Sequence, residues 1–336
     1  MKILFTGDWH LGLRTHSRTF EGINTRDSEF RKVIQFIIDY AISNQIDYFV
    51  HCGDLFHRSN PTVNDISFAQ EVFRQLGLKG IRSVIIDGNH DAPAGTWMVS
   101  PITLIENVVK VVEDAKEIVL TNSLSLALTP FPVPLQFWND KEKITERRIV
   151  IGHTSLEGAV AGAECFLLSK YCHVEKPPDG HITICGHIHK PQMVRKEPWA
   201  GYPGSILQND FGEIGETKGF IIYDAELNKM EFVRTPCNQL IKIDYTEIDK
   251  FNPSGKIIKV TGSTKTFIDT DQIIESLYSR GAVYVNLDIR NDEKISARDE
   301  AMLASMSVSS MFERFCEIEK PISRVIELGR EIVKEI

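Results

Sequence analysis

Lys2-Ile3-Leu4-Phe5-Thr6-Gly7-Asp8-Trp9-His10 decides how the rest of this 336-residue chain is read. It is an apolar run, then a glycine, then side chains able to bind a metal. The same order returns as Tyr48-Phe49-Val50-His51-Cys52-Gly53-Asp54 and as Ser83-Val84-Ile85-Ile86-Asp87-Gly88-Asn89-His90. Ile149-Val150-Ile151-Gly152-His153 and Ile182-Thr183-Ile184-Cys185-Gly186-His187 complete the set. Short runs rich in β-branched residues predict strands buried on both faces. Glycine at the exit permits a sharp turn and close backbone approach. Helical patterns over 30–43 and 65–76 separate the early strands, which predicts βαβ crossovers and parallel pairing.

Ligands of open α/β sheets collect at the carboxyl ends of the strands. The five loops are therefore expected to converge. They would bring together Asp8, His10, Asp54, Asn89, His90, His153, His187 and His189. One Gly-Asp or Gly-His pair is common and carries little. Five at strand ends, two of them extended as Asp8-x-His10 and His187-x-His189, point to a metal centre. Carboxylate, amide and imidazole donors without thiolate suit Mn²⁺ or Fe²⁺, and also Zn²⁺. So many donors exceed what one cation needs. A pair of cations about 3.5–4 Å apart is the arrangement used for in-line displacement at phosphorus.

Composition frames this reading. With 42% apolar and 25% charged residues, the chain has the make-up of a globular protein. No apolar run is long enough for a membrane helix, and the N-terminus carries no signal-peptide pattern. A cytoplasmic address is expected, whether around the nucleoid or in the host cytoplasm of a phage. Six cysteines form no CxxC pair and no disulfide-like framework, so all are read as structural thiols. The formal net charge of −8 argues mildly against a protein that grips DNA by charge alone. Bound divalent cations would offset it where phosphate sits.

Asp8-Trp9-His10, Gly53-Asp54, Gly88-Asn89-His90-Asp91, Gly152-His153 and Gly186-His187-Ile188-His189 resemble the signature of calcineurin-like metallophosphoesterases. More narrowly, three stretches resemble SbcD-type DNA double-strand-break repair nucleases. These are Gly7 to Gly12, Gly53 to Pro61, and Tyr202-Pro203-Gly204-Ser205 followed by Asp210-Phe211-Gly212-Glu213. The resemblance implies an α/β (α+β) fold, a β-sandwich flanked by helices, over 1–236. It implies that Asp8, His10 and His189 hold one cation and Asn89, His153 and His187 the other, with Asp54 bridging and Mn²⁺ as the metal. His90 would stabilise the transition state or protonate the leaving oxygen, and His57 would stand near the scissile phosphate. The implied activity is a Mn²⁺-dependent nuclease, exonucleolytic on duplex ends and endonucleolytic on single strands or hairpins. It would act as a homodimer with an SbcC-like coiled-coil ATPase.

Arg14 and Arg18 fall in a polar segment after the first strand, and Arg58 and Asn60 border the same face. Such side chains contact phosphates and position DNA without reading its sequence. After Pro236 the repeated pattern stops. Strands over 256–261 and 283–289 and a helix over 271–279 make a small module at 237–290, where the family carries a capping domain. A linker at 290–300 leads to C-terminal helices over 299–336, whose apolar stripes suit self-packing or the ATPase. The alternatives keep the metals but change the substrate to another phosphodiester or a phosphoprotein, or make the fold a noncatalytic scaffold.

Overall fold

The protein is represented by a computed structural model that describes residues 1–92, 99–161, 165–166, 174–264 and 269–291. Each of the five predicted strands forms. They are β1 (Lys2–Thr6), β2 (Tyr48–His51), β3 (Arg82–Ile86), β7 (Arg147–His153) and β8 (Ile182–Gly186). Helices α1 (Thr25–Ser43) and α2 (Val63–Leu78) connect the first three. Asn24 caps α1 by accepting from the backbone N–H groups of Arg26 and Asp27. A reciprocal Thr62–Asp65 capping box starts α2. Both caps lie N-terminal to the apolar periodicity, so the helices begin earlier than that periodicity alone shows.

The five strands do not share one sheet. The first sheet has the order β12-β11-β1-β2-β3-β4, with β4 at Lys110–Val112, β11 at Gly219–Asp224 and β12 at Lys229–Arg234. The second has the order β9-β10-β8-β7-β6-β5. Here β5 is Lys116–Thr121, β6 Leu124–Thr129, β9 Gln192–Arg195 and β10 Ala200–Tyr202. Pairing is parallel from β1 through β4 and across β6-β7-β8-β10, and antiparallel at the flanks.

Strand periodicity explains the unbroken apolar runs. Leu4, Phe49 and Ile85 point into a core with Phe30, Val33, Ile34 and Ile37 of α1 and Val72, Phe73 and Leu76 of α2. Their neighbours Ile3, Phe5, Val50, Val84 and Ile86 point the other way, onto Leu124, Leu126, Leu128, Ile149, Ile151 and Ile184 of the second sheet. A third core covers the outer face of the second sheet, around Leu135, Trp138 and Val150. The result is a β-sandwich with α1 and α2 packed on one outer face, which agrees with the expected fold.

After Arg234 come β13 (Gln239–Asp244), β14 (Lys256–Thr264), α3 (Thr270–Ser279) and β15 (Tyr284–Asn291), forming a three-stranded sheet in the order β13-β14-β15. Residues Met1–Thr261 and Asp269–Asp288 make one compact unit, so most of the 237–290 module belongs to the same unit as the sandwich. Gly262–Ile268 with Ile289–Ile336 make a second unit, of which 262–264 and 289–291 are described. Arg290 and Asn291, read from the sequence as the start of a linker, are the last two residues of β15. The C-terminal helices expected over 299–336 lie outside the described residues. Among the described residues no helix is long and apolar enough to cross a membrane.

Candidate metal centre

The Asp8-Trp9-His10 turn shows how the sequence sets its side chains. Trp9 is fully buried between Phe49 and Phe73, and its indole N–H donates to Thr6 Oγ1 at 2.9 Å. With Trp9 anchored on the helix side, Asp8 and His10 turn toward the strand ends. The loop runs beside the one after β2 through Asp8 N–H to Gly53 O at 3.0 Å and His10 N–H to Asp54 O at 3.1 Å. Asp8, His10, Asp54 and His187 have φ of 50°, 45°, 56° and 95°. Non-glycine residues rarely adopt such values, and their cost is of order 1–3 kcal/mol each. That strain is concentrated at one place.

The glycines serve close approach between loops. A β-carbon at Gly88 would collide with Asp54 Oδ1 and its backbone nitrogen, and one at Gly186 with the Cys52 carbonyl and His153 Nδ1. Asp91 then ties the loops together. It is fully buried, and its carboxyl oxygens accept from the N–H groups of Leu55 at 3.1 Å, Phe56 at 2.9 Å and Gly88 at 3.2 Å.

All seven residues expected as ligands meet. Donor atoms of Asp8, His10 and His189 lie within 4.8 Å of one another, as do those of Asp8, Asp54 and His153. His10 Nε2 faces His189 Nε2 at 3.0 Å. Asn89 Oδ1 stands 3.0 Å from His153 Nε2 and 2.9 Å from His187 Nδ1. Asp54 Oδ2 lies between these groups, 3.6 Å from His10 Nε2 and 3.4 Å from His153 Nε2. Asp8 Oδ1 accepts from the His187 N–H at 2.9 Å, while its buried Oδ2 has no hydrogen-bond partner. Donors that share a cation with bonds near 2.1 Å stand ~3 Å apart, which is the spacing seen here. The residues present therefore fit divalent-cation binding, with Asp54 Oδ2 close to donors of both groups.

Electrostatics divide the imidazoles: burial lowers His10 and His187, whereas carboxylate partners outweigh burial and raise His153 and His189. Burial pushes the His10 imidazole well below its usual value, and burial with the neighbouring His153 takes His187 down to about 4. Both are neutral lone-pair donors near pH 7. Burial raises the Asp8 carboxyl. Burial also works to raise Asp54, but the charge and hydrogen bond of His153, with His10 behind them, outweigh it and hold Asp54 well below the carboxylate range. His153 is shifted upward in turn, because Asp54 overcomes the effect of its burial.

His57 and His90 flank this cluster. Their rings stack at 5.5 Å between centroids, and His90 meets the His10 ring edge-on at 4.7 Å. His90 Nδ1 lies 2.8 Å from the His57 carbonyl, to which it donates, so Nε2 is its free atom. The His90 backbone N–H donates to Asp54 Oδ1 at 2.9 Å. Arg14, Arg58 and Asn60 are exposed and line one groove of about 390 Å³ together with His57. Arg18 is placed elsewhere: its guanidinium stacks on Tyr278 of α3 at 3.9 Å. Beside it, His16 packs against Phe211 and Tyr284.

Two residues behind the cluster carry no assigned role in the sequence pattern, Glu213 within a quoted stretch and Lys218 outside any. Glu213 Oε1 is 2.9 Å from His189 Nδ1, and Lys218 Nζ lies 2.6 Å from Glu213 Oε2. Burial works to raise the Glu213 carboxyl, but His189 and Lys218 bring it down to about 2, so it is ionised. Nothing in the local pattern marks Lys218, whose side chain is wholly buried where lysine is rarely found.

Comparison with known proteins adds the lineage. The chain is 24% identical over 322 residues to the DNA double-strand break repair protein Mre11 of Methanosarcina mazei, covering 88% of this chain and 51% of that protein. The chain thus spans about half the length of that relative. It is 23% identical to the SbcD subunit of the SbcCD nuclease of Staphylococcus epidermidis, over 85% of this chain and 84% of that one. It is 26% identical to exonuclease subunit 1 of Enterobacteria phage T4, over 88% of this chain and 93% of that one. The family model for calcineurin-like phosphoesterases matches residues 1–191, more than half of the chain. On that match and this fold, the chain belongs to the calcineurin-like phosphoesterase family.

Proposed function

We propose that the chain is a two-cation phosphodiesterase that cleaves DNA, with Mn²⁺ as its metal. The observation that carries the reading is the place of Asp54 Oδ2, within 3.6 Å of donors on both sides of the cluster. Two cations held there would polarise a phosphodiester and lower the pKa of a water. The chain's own residues would do the rest. Asp8, His10 and His189 would hold one cation and Asn89, His153 and His187 the other, with Asp54 shared between them. With Nδ1–H held by the His57 carbonyl, the imidazolium form of His90 would give its Nε2 proton to the leaving oxygen and be left neutral, with His57 stacked beside it. DNA as substrate is supported by the nuclease and repair names of the relatives. The full reading is an exonuclease on duplex ends and an endonuclease on single strands or hairpins, within a double-strand-break repair or recombination system.

The deciding experiment incubates the purified chain with end-labelled duplex or hairpin DNA in Mn²⁺, Mg²⁺ or chelator. Cleavage in Mn²⁺ that chelator abolishes supports the reading. Turnover of a small phosphodiester with no cleavage of DNA would replace it with a phosphodiesterase or phosphatase of another substrate class.

The groove of Arg14, Arg58 and Asn60 is the proposed contact for the DNA backbone. Arg14→Ala with Arg58→Ala should weaken binding evenly across sequences and lower the log–log salt slope by about 2. Arg18→Ala, whose side chain is engaged with Tyr278, should change the slope less. An unaltered slope in the double variant would remove the groove from the binding surface.

The name of the S. epidermidis relative supports an SbcC-like ATPase as partner; the segment 299–336 is its proposed contact and a homodimer the proposed working form. Removing residues after Arg298 should end co-purification with such an ATPase and keep Mn²⁺-dependent cleavage. Co-purification of the shortened chain would move the contact elsewhere.

A further inference from the structure

The strap from Ile206 to Lys218 passes behind His189, and its side chains form a closed set of donors and acceptors. Lys218 Nζ donates to Glu213 Oε2 at 2.6 Å, Glu216 Oε2 at 2.8 Å and the His189 carbonyl at 2.8 Å, which uses all three ammonium protons. Glu213 Oε2 also accepts from the Asn209 backbone N–H at 3.0 Å. Its other oxygen, Oε1, is left for His189 Nδ1 at 2.9 Å. Gln208 secures the strap from behind, donating to the carbonyls of Glu213 and Glu216 and accepting from the Leu240 N–H of β13.

A carboxylate only accepts hydrogen bonds. Nδ1 of His189 must therefore carry a proton, and in the neutral ring Nε2, the atom facing His10 at 3.0 Å, keeps its lone pair. The Asn209 side-chain amide also lies 3.2 Å from Nδ1, and its oxygen is buried with no partner. Exchanging its O and N by a half-turn lets that oxygen accept from the same Nδ1–H.

We propose that Glu213, locked by Lys218, is a positioning residue that fixes the His189 tautomer needed to bind a cation through Nε2. The inference rests on the cation-binding reading of His189. It makes an unusual demand on one substitution. In Glu213→Gln the end facing Lys218 Nζ and the Asn209 N–H must be the amide oxygen, since both neighbours are donors. The amide NH₂ then faces Nδ1 and donates to it. The ring proton moves to Nε2 and occupies the lone pair that a cation requires. A near-isosteric change thus inverts a tautomer. The same logic makes Asn a poor substitute for an Asp that orients a catalytic histidine.

The test has two readouts. In cation-free protein, ¹⁵N side-chain spectra, with His189 assigned by its loss in His189→Asn, should show Nδ1–H in the wild type and Nε2–H in Glu213→Gln. In a Mn²⁺ titration followed by EPR, the wild type should bind two cations. Glu213→Gln should bind one of them about 100-fold more weakly, at the upper end for partners of metal-binding histidines, and leave the other unchanged. Equal weakening of both sites would mark a general structural role and overturn the proposal. So would Nε2–H in the wild type, a measurement that stands even if the variant fails to fold. A wild type that shows Nδ1–H but binds no Mn²⁺ would leave Glu213 as the orienting group and sink the metal reading instead.

Discussion

His90→Ser is expected to abolish cleavage while both cations stay bound. The structure separates the two effects. The His90 backbone N–H, which serine retains, donates to Asp54 Oδ1 and helps to orient the bridging carboxylate. The imidazole acts separately, since Nδ1 is engaged with the His57 carbonyl and Nε2 is the ring atom left for substrate. Serine is too short to reach that place and is a far weaker acid there. General acid catalysis by a positioned side chain contributes typically ~10²–10⁴-fold. Turnover should fall by about that factor, with metal content measured on the same sample. Wild-type turnover by fully metallated protein would remove His90 from the chemistry. Loss of metal would show instead that its ring supports the centre.

Asp54→Asn should have an effect at least as large, by another route. Asparagine keeps the shape and an oxygen for the His90 N–H. It removes the negative charge from the atom that stands between the two donor groups. Charge stabilisation at such a site is worth several kcal/mol, which corresponds to a rate loss of about 10³-fold or more. The upward shift of His153, which depends on Asp54, should disappear as well. A Mn²⁺ titration beside the cleavage assay checks this: no more than one tight cation should remain. Two cations held at wild-type affinity would mean that Asp54 does not bridge.

Much of this centre was legible in the sequence because strand exits leave a local mark. Gly7-Asp8, Gly53-Asp54, Gly88-Asn89, Gly152-His153 and Gly186-His187 each pair the residue that allows close packing with the one that reaches the cluster. The division of the five strands between two sheets was not visible in their patterns. A strand buried on both faces gives the same apolar run in either layer, and only the family resemblance supplied the sandwich. β13 was missed because Gln239 to Asp244 alternates weakly over six residues. Glu213 and Lys218 are tied to His189 across more than 20 residues, and no local periodicity reports such a contact. The stacking of Arg18 on Tyr278 is more distant still, joining positions 260 residues apart in sequence.

The separation of the ligands between layers has a thermodynamic consequence. Asp8, His10, Asp54 and Asn89 follow strands of the first sheet, whereas His153 ends a strand of the second and His187 and His189 follow another. Each proposed cation therefore draws donors from both sheets and can be held only when Ile3, Phe5 and Val50 are seated on Ile149, Ile151 and Ile184. Metal occupancy and cohesion of the apolar interior become linked equilibria, so whatever loosens one weakens the other by the same free energy.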